Sequence, residues 1–456
     1  MIGVLRIGNA GAFWGDRIGA AAELAKLQPD LDYITLDYLA EVSMSILARQ
    51  RERNPDAGYA GDFIEVVRTL SPILCRESGR RLRIVTNAGG LNPRACAEAC
   101  RGILSQAGCH SMRIGIVSGD DVLEQLKNGE GSSDGFVNLE TGQPVDTILN
   151  SLVTANAYLG AEAILEVLRQ GADIVITGRV ADPSLTVGPC VHHFGWSLRD
   201  FDRLAGATVA GHLIECGTQV TGGISTHWLE VPDPANVGYP VAEVDADGSC
   251  VITKPANTGG RVELRTVKEQ LLYEIGDPDN YISPDAVVSF LALSVTETGP
   301  DRVRISGARG SPPTGTYKVS ATYRAGYRAS GTLTVFGRDS VSKARRCAHV
   351  VEQRLRQSGC EPQQWHSECL GTGDVVPGVF AGGTHGLETV LRLSVADERR
   401  EVVDRFTREL MPLITCGPQG ITGYAEGRPR IHEVVGYWPC LIDRRSVIPR
   451  TEILEV

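Results

Sequence analysis

The chain has 456 residues, 42% of them hydrophobic and 22% charged, and carries a formal net charge of −10. That length suits two or three domains with ample buried core, and the acidic balance argues against nucleic acid or an anionic membrane as the main partner. No apolar run reaches the roughly 18 residues that a membrane-spanning helix needs, and Met1-Ile2-Gly3-Val4-Leu5-Arg6-Ile7 reads as a first strand, without the basic start and cleavage site of a leader. The twelve cysteines follow no repeated spacing. With no Cys-x-x-Cys among them, they read as reduced, mostly buried thiols of a cytoplasmic protein.

In chain order, residues 4–8 form a strand that runs into Gly8-Asn9-Ala10-Gly11-Ala12-Phe13-Trp14-Gly15-Asp16-Arg17, and a helix follows. Gly8, Gly11 and Gly15 let backbone amides approach an anion or a carbonyl, and Asn9, Asp16 and Arg17 add polar groups to the same turn. The spacing matches neither the dinucleotide fingerprint nor the Walker loop. The plainer alternative is a tight turn whose glycines serve packing only. A second strand, 33–36, ends at Asp37, with Glu41 following. Those carboxylates do acid–base work, bind a cation or favour a helix N-terminus, and the last is the simpler reading. A helix over 62–78 leads to a strand at 82–86 and then to Asn87-Ala88-Gly89-Gly90, where Asn87 offers a donor and an acceptor to a substrate carbonyl. Another strand, 112–117, ends at Ser118-Gly119-Asp120-Asp121.

Residues 127–147 are polar and glycine-rich, the mark of a loop or partial lid. A helix expected over 148–170, closed by Gly171, feeds the short β-branched run Asp173-Ile174-Val175-Ile176-Thr177, a strand buried on both faces. At its carboxyl end stand Gly178, Arg179, Asp182, Pro183 and Ser184. Five strands alternating with helices imply a largely parallel α/β domain, and ligands gather beyond the carboxyl ends of such strands. The alternative for this stretch is a capped helix start with an Arg–Asp pair. Further on, His212, Glu215 and Cys216 share one helix face and can supply a base, an acid and a soft nucleophile. The bland counterpart is a core histidine beside a buried cysteine. The same residues could also bind a metal, but one His-x-x-Glu-Cys lacks a second ligand cluster, and no metal site is assigned. Gly222 and Gly223 follow, and Thr258, in a Thr-Gly-Gly turn between Lys254 and Arg261, can hold a carboxylate or phosphate.

Near residue 285 the pattern changes, which divides the chain into an α/β domain at 1–284, the site-bearing one, and an α+β domain at 285–456. In the second, strands at 286–296 and 302–306 precede a hairpin of 316–323 and 329–336 around Arg324-Ala325-Gly326. A helix at 339–357, strands at 364–370 and 387–395, a helix at 397–412 and a last strand at 431–437 complete a split ββαββαβ order of ferredoxin-like kind, suited to covering the site or to dimerisation. Phe380-Ala381-Gly382-Gly383-Thr384-His385-Gly386 reads as a flexible flap, with His385 a lesser candidate than His212.

The ordered segments 8–17, 84–90, 173–183, 211–223 and 258–274 together resemble the acyclic terpene utilisation, AtuA-like, family. The resemblance runs from near residue 3 to the end. It implies bacterial breakdown of citronellol- and geraniol-type compounds through acyl-CoA intermediates. Many members carry an appended C-terminal ferredoxin-fold domain of about a hundred residues, and the resemblance covers the N-terminal-type region without it.

These observations lead to a small-molecule enzyme acting on a carboxylated or CoA-linked, branched or terpenoid, acyl substrate. The step expected is that of a lyase, hydratase or isomerase. Asp182 or Glu215 moves the proton, Asn87 and the amides of residues 8–15 hold the oxyanion, and Arg179 anchors a carboxylate. No separate cofactor is expected beyond the CoA moiety of a substrate, and the chain is expected to form a homo-oligomer. Two rivals stand beside this reading: a Cys216/His212 acyl transferase or hydrolase, and a non-catalytic binding or scaffold subunit of an acyl-CoA-processing complex.

Overall fold

The structure is a computed structural model that describes residues 3–75, 81–379, 387–423 and 427–456. The flap reading of residues 380–386, with His385, lies outside the described residues. In chain order the elements are β1 (Leu5–Asn9), α1 (Ala20–Leu27), β2 (Tyr33–Leu36), α2 (Ser43–Arg53), α3 (Asp62–Leu74), β3 (Arg83–Thr86), α4 (Pro93–Gln106), β4 (Arg113–Ser118) and α5 (Leu123–Asn128). Then come β5 (Leu152–Ala157), α6 (Glu162–Arg169), β6 (Ile174–Thr177), α7 (Ser184–Phe194), α8 (Phe201–Glu215), β7 (Val241–Val244), β8 (Cys250–Thr253) and α9 (Leu264–Leu272). Short strands β9 (Tyr281–Ile282), β10 (Val287–Ser289), β11 (Ser294–Gly299), β12 (Arg302–Ser306) and β13 (Arg309–Ser311) precede the long β14 (Thr316–Phe336). The chain closes with α10 (Ser340–Gln357), β15 (Gln364–Leu370), β16 (Glu388–Asp397), α11 (Arg400–Glu409), α12 (Leu413–Cys416), β17 (Ile421–Thr422), β18 (His432–Asp443) and β19 (Arg450–Glu455).

Two compact units result, residues 1–322 with 437–456, and residues 323–436. Residues 285–322, assigned from sequence to the second domain, thus fall within the first unit. Its main sheet has ten strands in the order β11-β12-β8-β7-β1-β2-β3-β6-β4-β19. Strands β1, β2, β3, β6 and β4 run parallel. The others join antiparallel, so the sheet is mixed where a largely parallel one was expected. Every residue of β2 and of β6 is buried, as the β-branched run 173–177 requires of a strand covered on both faces. On one face α1, α3 and α4 close over Ile34, Leu36, Ile84, Ile114, Ile116, Ile174 and Ile176. A row formed by α6, α7 and α8 packs elsewhere against the sheet. The sheet order decides the site: β6 lies between β3 and β4, so its terminal turn is flanked by theirs.

Three expectations need correction. The helix expected over 148–170 is instead strand β5 followed by the short helix α6. The β-branched Val153 and Thr154 belong to a strand that pairs with β14, and Gly160 breaks the run where its backbone abuts the Asp285 carboxylate. The hairpin expected around 324–326 is one continuous strand of 21 residues. Gly326, at φ +91, approaches the backbone of Asp397 and Glu398 too closely for a side chain, and pairing with β16 continues unbroken from Tyr327 to Phe336. Cys75 and Cys109, expected as thiols, are joined by a disulfide, while the other ten cysteines are free.

In the second unit, the latter part of β14 with α10, β15, β16, α11 and β17 forms a βαββαβ arrangement. Its sheet runs β15-β16-β14-β17, antiparallel throughout. Residues alternate, so that Ala329, Leu333, Val335, Leu391, Leu393 and Val395 join the core with α10 and α11. The C-terminal strand β19, unforeseen from sequence, pairs antiparallel with β4 in the first unit.

Candidate active site at the strand ends

The turn after β6 carries a dense network of polar contacts. Gly178 touches Asp120, with so little room that an added Cβ would stand 2.3 Å from a carboxylate oxygen. That approach lets Asp120 accept from the Arg179 amide at 2.9 Å and from Asn156 at 2.8 Å. Arg179, only 3% exposed, sends one guanidinium nitrogen to the Leu39 carbonyl and another to the Asp182 carboxylate, and it lies 4.2 Å from the Tyr158 ring centroid. Its Nε has no partner. Burial works against the charge of Arg179, but Asp182, Tyr158 and Asp37 hold the guanidinium firmly protonated.

At the end of β2, Asp37 is buried and accepts from Asn87 Nδ2 at 2.7 Å and from the Leu39 amide at 3.2 Å. Asn87 Oδ1 in turn accepts from the Tyr38 amide at 2.7 Å. Asn87 thus holds Asp37 through Nδ2 and the Tyr38 backbone through Oδ1, and positions the turn after β2. Burial raises the Asp37 carboxyl to about 6, against the pull of Arg179 and Asn87. Burial likewise raises Asp120 to about 6. Asp182 is raised too, because burial and the charges of Asp37, Glu41 and Glu274 outweigh Arg179. Its side chain nevertheless stays 34% exposed. Asp182 thus lies between the buried Asp37, Asp120 and Arg179 and the exposed Glu41 and Glu274.

Helix α8 brings the third group. Gly211 packs against the Pro183 backbone at 2.9 Å from an ideal Cβ, which draws α8 against the Asp182 segment. His212 is 1% exposed, with Nδ1 3.0 Å from Glu215 Oε1 and Nε2 2.9 Å from the Gln270 carbonyl. Tyr281 and Phe290 pack about its ring. Burial opposes charge on His212, but Glu215 more than compensates and raises its pKa, while burial raises Glu215. Glu215 Oε2 is buried without a partner. Cys216 caps α8, and burial together with the Glu215 charge lifts its thiol to about 12.

Arg179 holds Asp182, Asn87 holds Asp37 and His212 holds Glu215, and the packing of Gly211 on Pro183 brings α8 against the Asp182 turn. The remaining candidates are engaged otherwise. Asn9 bonds the Gly11 amide and Thr35, and Asp16 takes the amides of Ala12 and Arg17 and the Tyr239 hydroxyl. Arg17 pairs with Glu23. Gly8 and Gly11 abut Leu24 and Leu36, Gly15 adopts φ +108 in its loop, Gly89 abuts Thr177 and Pro93, and Gly90 abuts Leu47. Gly222 and Gly223 close a turn over Thr218. Thr258 is held by Lys254 and Pro255. The turn at 8–17 satisfies its amides at 11, 12 and 17 internally.

Several members of the network carried little or no signal. Asp37 and Glu41 read more simply as helix-start carboxylates, and Tyr158 was hidden inside the misread helix. Glu274 lies in the segment 258–274 and adopts φ +60, a conformation uncommon for a side chain of its kind. Lys318 reaches within 5.3 Å of the Tyr158 ring centroid from β14. Among the described residues, no group of three or more His, Cys, Asp or Glu is arranged to hold a metal ion. No described helix is long and apolar enough to cross a membrane.

The family model for acyclic terpene utilisation family protein AtuA matches residues 5–453, from the first strand to the last. The chain belongs to the AtuA family. Neither a curated protein nor a solved structure matches it. AtuA membership associates the chain with acyclic terpene utilisation, a setting compatible with acyl-CoA-related metabolism.

Proposed function

We propose that this AtuA-family chain is an acid–base enzyme for a carboxylated or CoA-linked, branched or terpenoid acyl substrate, catalysing a lyase or hydratase step or an isomerisation. The observation that carries the reading is the partly exposed Asp182 paired with the buried Arg179, with the carboxyl of Asp182 raised by burial and that of the nearby Asp37 raised to about 6. In a dehydration, Asp182 takes the proton from the carbon next to the carbonyl. The electron pair left behind forms the C=C bond, and hydroxide departs with a proton supplied through Glu215. Arg179, whose buried guanidinium holds the Asp182 carboxylate, supplies the positive field that stabilises the negative charge developing beside it.

The geometry gives the covalent alternative little support. His212 spends both ring nitrogens on Glu215 and Gln270, and the Cys216 thiol is raised to about 12, where a nucleophilic thiolate is scarce. The scaffold reading has one observation on its side, the exposed Ile224, Trp228, Leu229 and Leu272. Thermal unfolding against a panel of branched acyl-CoAs and free branched acids separates the two. A substrate at a hundredfold excess over its dissociation constant stabilises the chain by about 2.7 kcal/mol. A panel without any stabilising member contradicts the enzyme reading.

A further inference from the structure

The second unit contains a cavity of about 1100 Å³ that the strand-end site does not use, lined by residues of that unit alone. Strand register builds its floor. His366 pairs with Ser394 and Ser394 with Ser330, forming one row across β15, β16 and β14. These residues alternate with the apolar ones that face α10 and α11, so the row belongs to the opposite face of the sheet. Ser394 donates to Ser330 at 2.9 Å, which presents a pair of hydroxyls side by side.

Around this floor stand Arg328, Arg428, Arg430, His366 and His432, and no described lining residue is Asp or Glu. In a chain of net charge −10, a cavity with three arginines, two histidines and no carboxylate among its described lining residues is a local reversal of sign. Not every cation is free to act. Arg428 is held by Thr407 at 2.7 Å and Asp404 at 2.5 Å, and His366 lies 3.6 Å from Glu368, whose carboxylate Arg392 also takes. Arg328 and Arg430 have no acidic partner among the described residues. Two unpaired guanidinium groups with adjacent hydroxyls suit a ligand carrying several negative oxygens, because each planar fork can grip two of them. A single carboxylate would satisfy one arginine only. The volume lies slightly above the roughly 300–1,000 Å³ usual for small-molecule pockets.

We propose that this cavity binds a phosphorylated small molecule of nucleotide size, with its phosphates held by Arg328 and Arg430 and by the hydroxyls of Ser330 and Ser394. The proposal is independent of the acyl-substrate reading. It is tested by calorimetric titration of the full chain with ADP, inorganic pyrophosphate and adenosine. ADP and pyrophosphate are expected to bind, adenosine not, and added salt to weaken both anions. R328Q/R430Q should weaken ADP by at least about tenfold at an unchanged unfolding temperature, whereas R309Q in the first unit should bind like the wild type. The proposal falls if ADP and pyrophosphate fail to bind in the millimolar range, if adenosine binds as well as ADP, or if R328Q/R430Q binds ADP unchanged. It also falls if the chain is a dimer that R328Q/R430Q splits without any loss of anion binding, since the face would then be an interface between copies.

Discussion

Replacing Asp37 with Asn should make the protein more stable and less active, and the gain should depend on pH in a defined direction. Asp37 is 6% exposed, and its carboxyl is raised from 3.8 to about 6 by burial. In the folded chain it therefore keeps a proton that the unfolded chain has already released between those values. Folding is helped by that proton at low pH, and the help is lost as pH rises through about 6. At 1.36 kcal/mol per pH unit, the ionised carboxylate costs about 3 kcal/mol at about pH 8. Asn keeps an acceptor for the Asn87 and Leu39 bonds, so the substitution removes the charge without removing the contacts. Urea unfolding of wild type and Asp37→Asn at about pH 8 should show a gain approaching that 3 kcal/mol, and at about pH 5 a gain of roughly half as much. Loss of activity alongside is the usual companion of relieving a strained site. A variant less stable than wild type at about pH 8, or a gain that does not shrink at about pH 5, would refute the reasoning.

Two further substitutions probe the same geometry. In Gly211→Ala the new Cβ would stand 2.9 Å from the Pro183 Cα and carbonyl oxygen. Overpacking of about 1–3 kcal/mol then exceeds the helix-propensity gain of about 1 kcal/mol, so chemical unfolding should show a net loss together with a fall in turnover. Cys216→Ser should leave turnover within about twofold of wild type, and a loss of several hundredfold would revive the covalent route.

Much of the first unit was legible because its strands are short β-branched runs ending in polar turns. Arg179 with Asp182, and His212 with Glu215, are pairs three residues apart whose contact is a local matter. What joins the pairs is not local. Asp37 meets Asn87 across 50 positions because β2 and β3 are neighbours, and Arg179 meets Asp120 because β6 inserts beside β4. Strand order of that kind leaves no trace in hydrophobic period. The glycines are ambiguous for the same reason. Gly8, Gly11 and Gly89 look like a ligand cradle in one dimension, yet in three they make room for Leu24, Leu36 and Pro93. Gly326 looked like a hairpin turn and is instead a close approach within one long strand. The expected helix over 148–170 erased Tyr158, whose ring lies against Arg179.

The most direct test of the acid–base account is hydrogen exchange at the carbon next to the acyl carbonyl. Branched acyl-CoAs are incubated with the protein in heavy water, and deuterium uptake is followed by mass spectrometry. The account predicts uptake with the wild type and a reduction of at least about a hundredfold in Asp182→Asn, with acyl-CoA binding retained. Uptake that Asp182→Asn leaves intact, or a panel that binds and exchanges nothing, would contradict it.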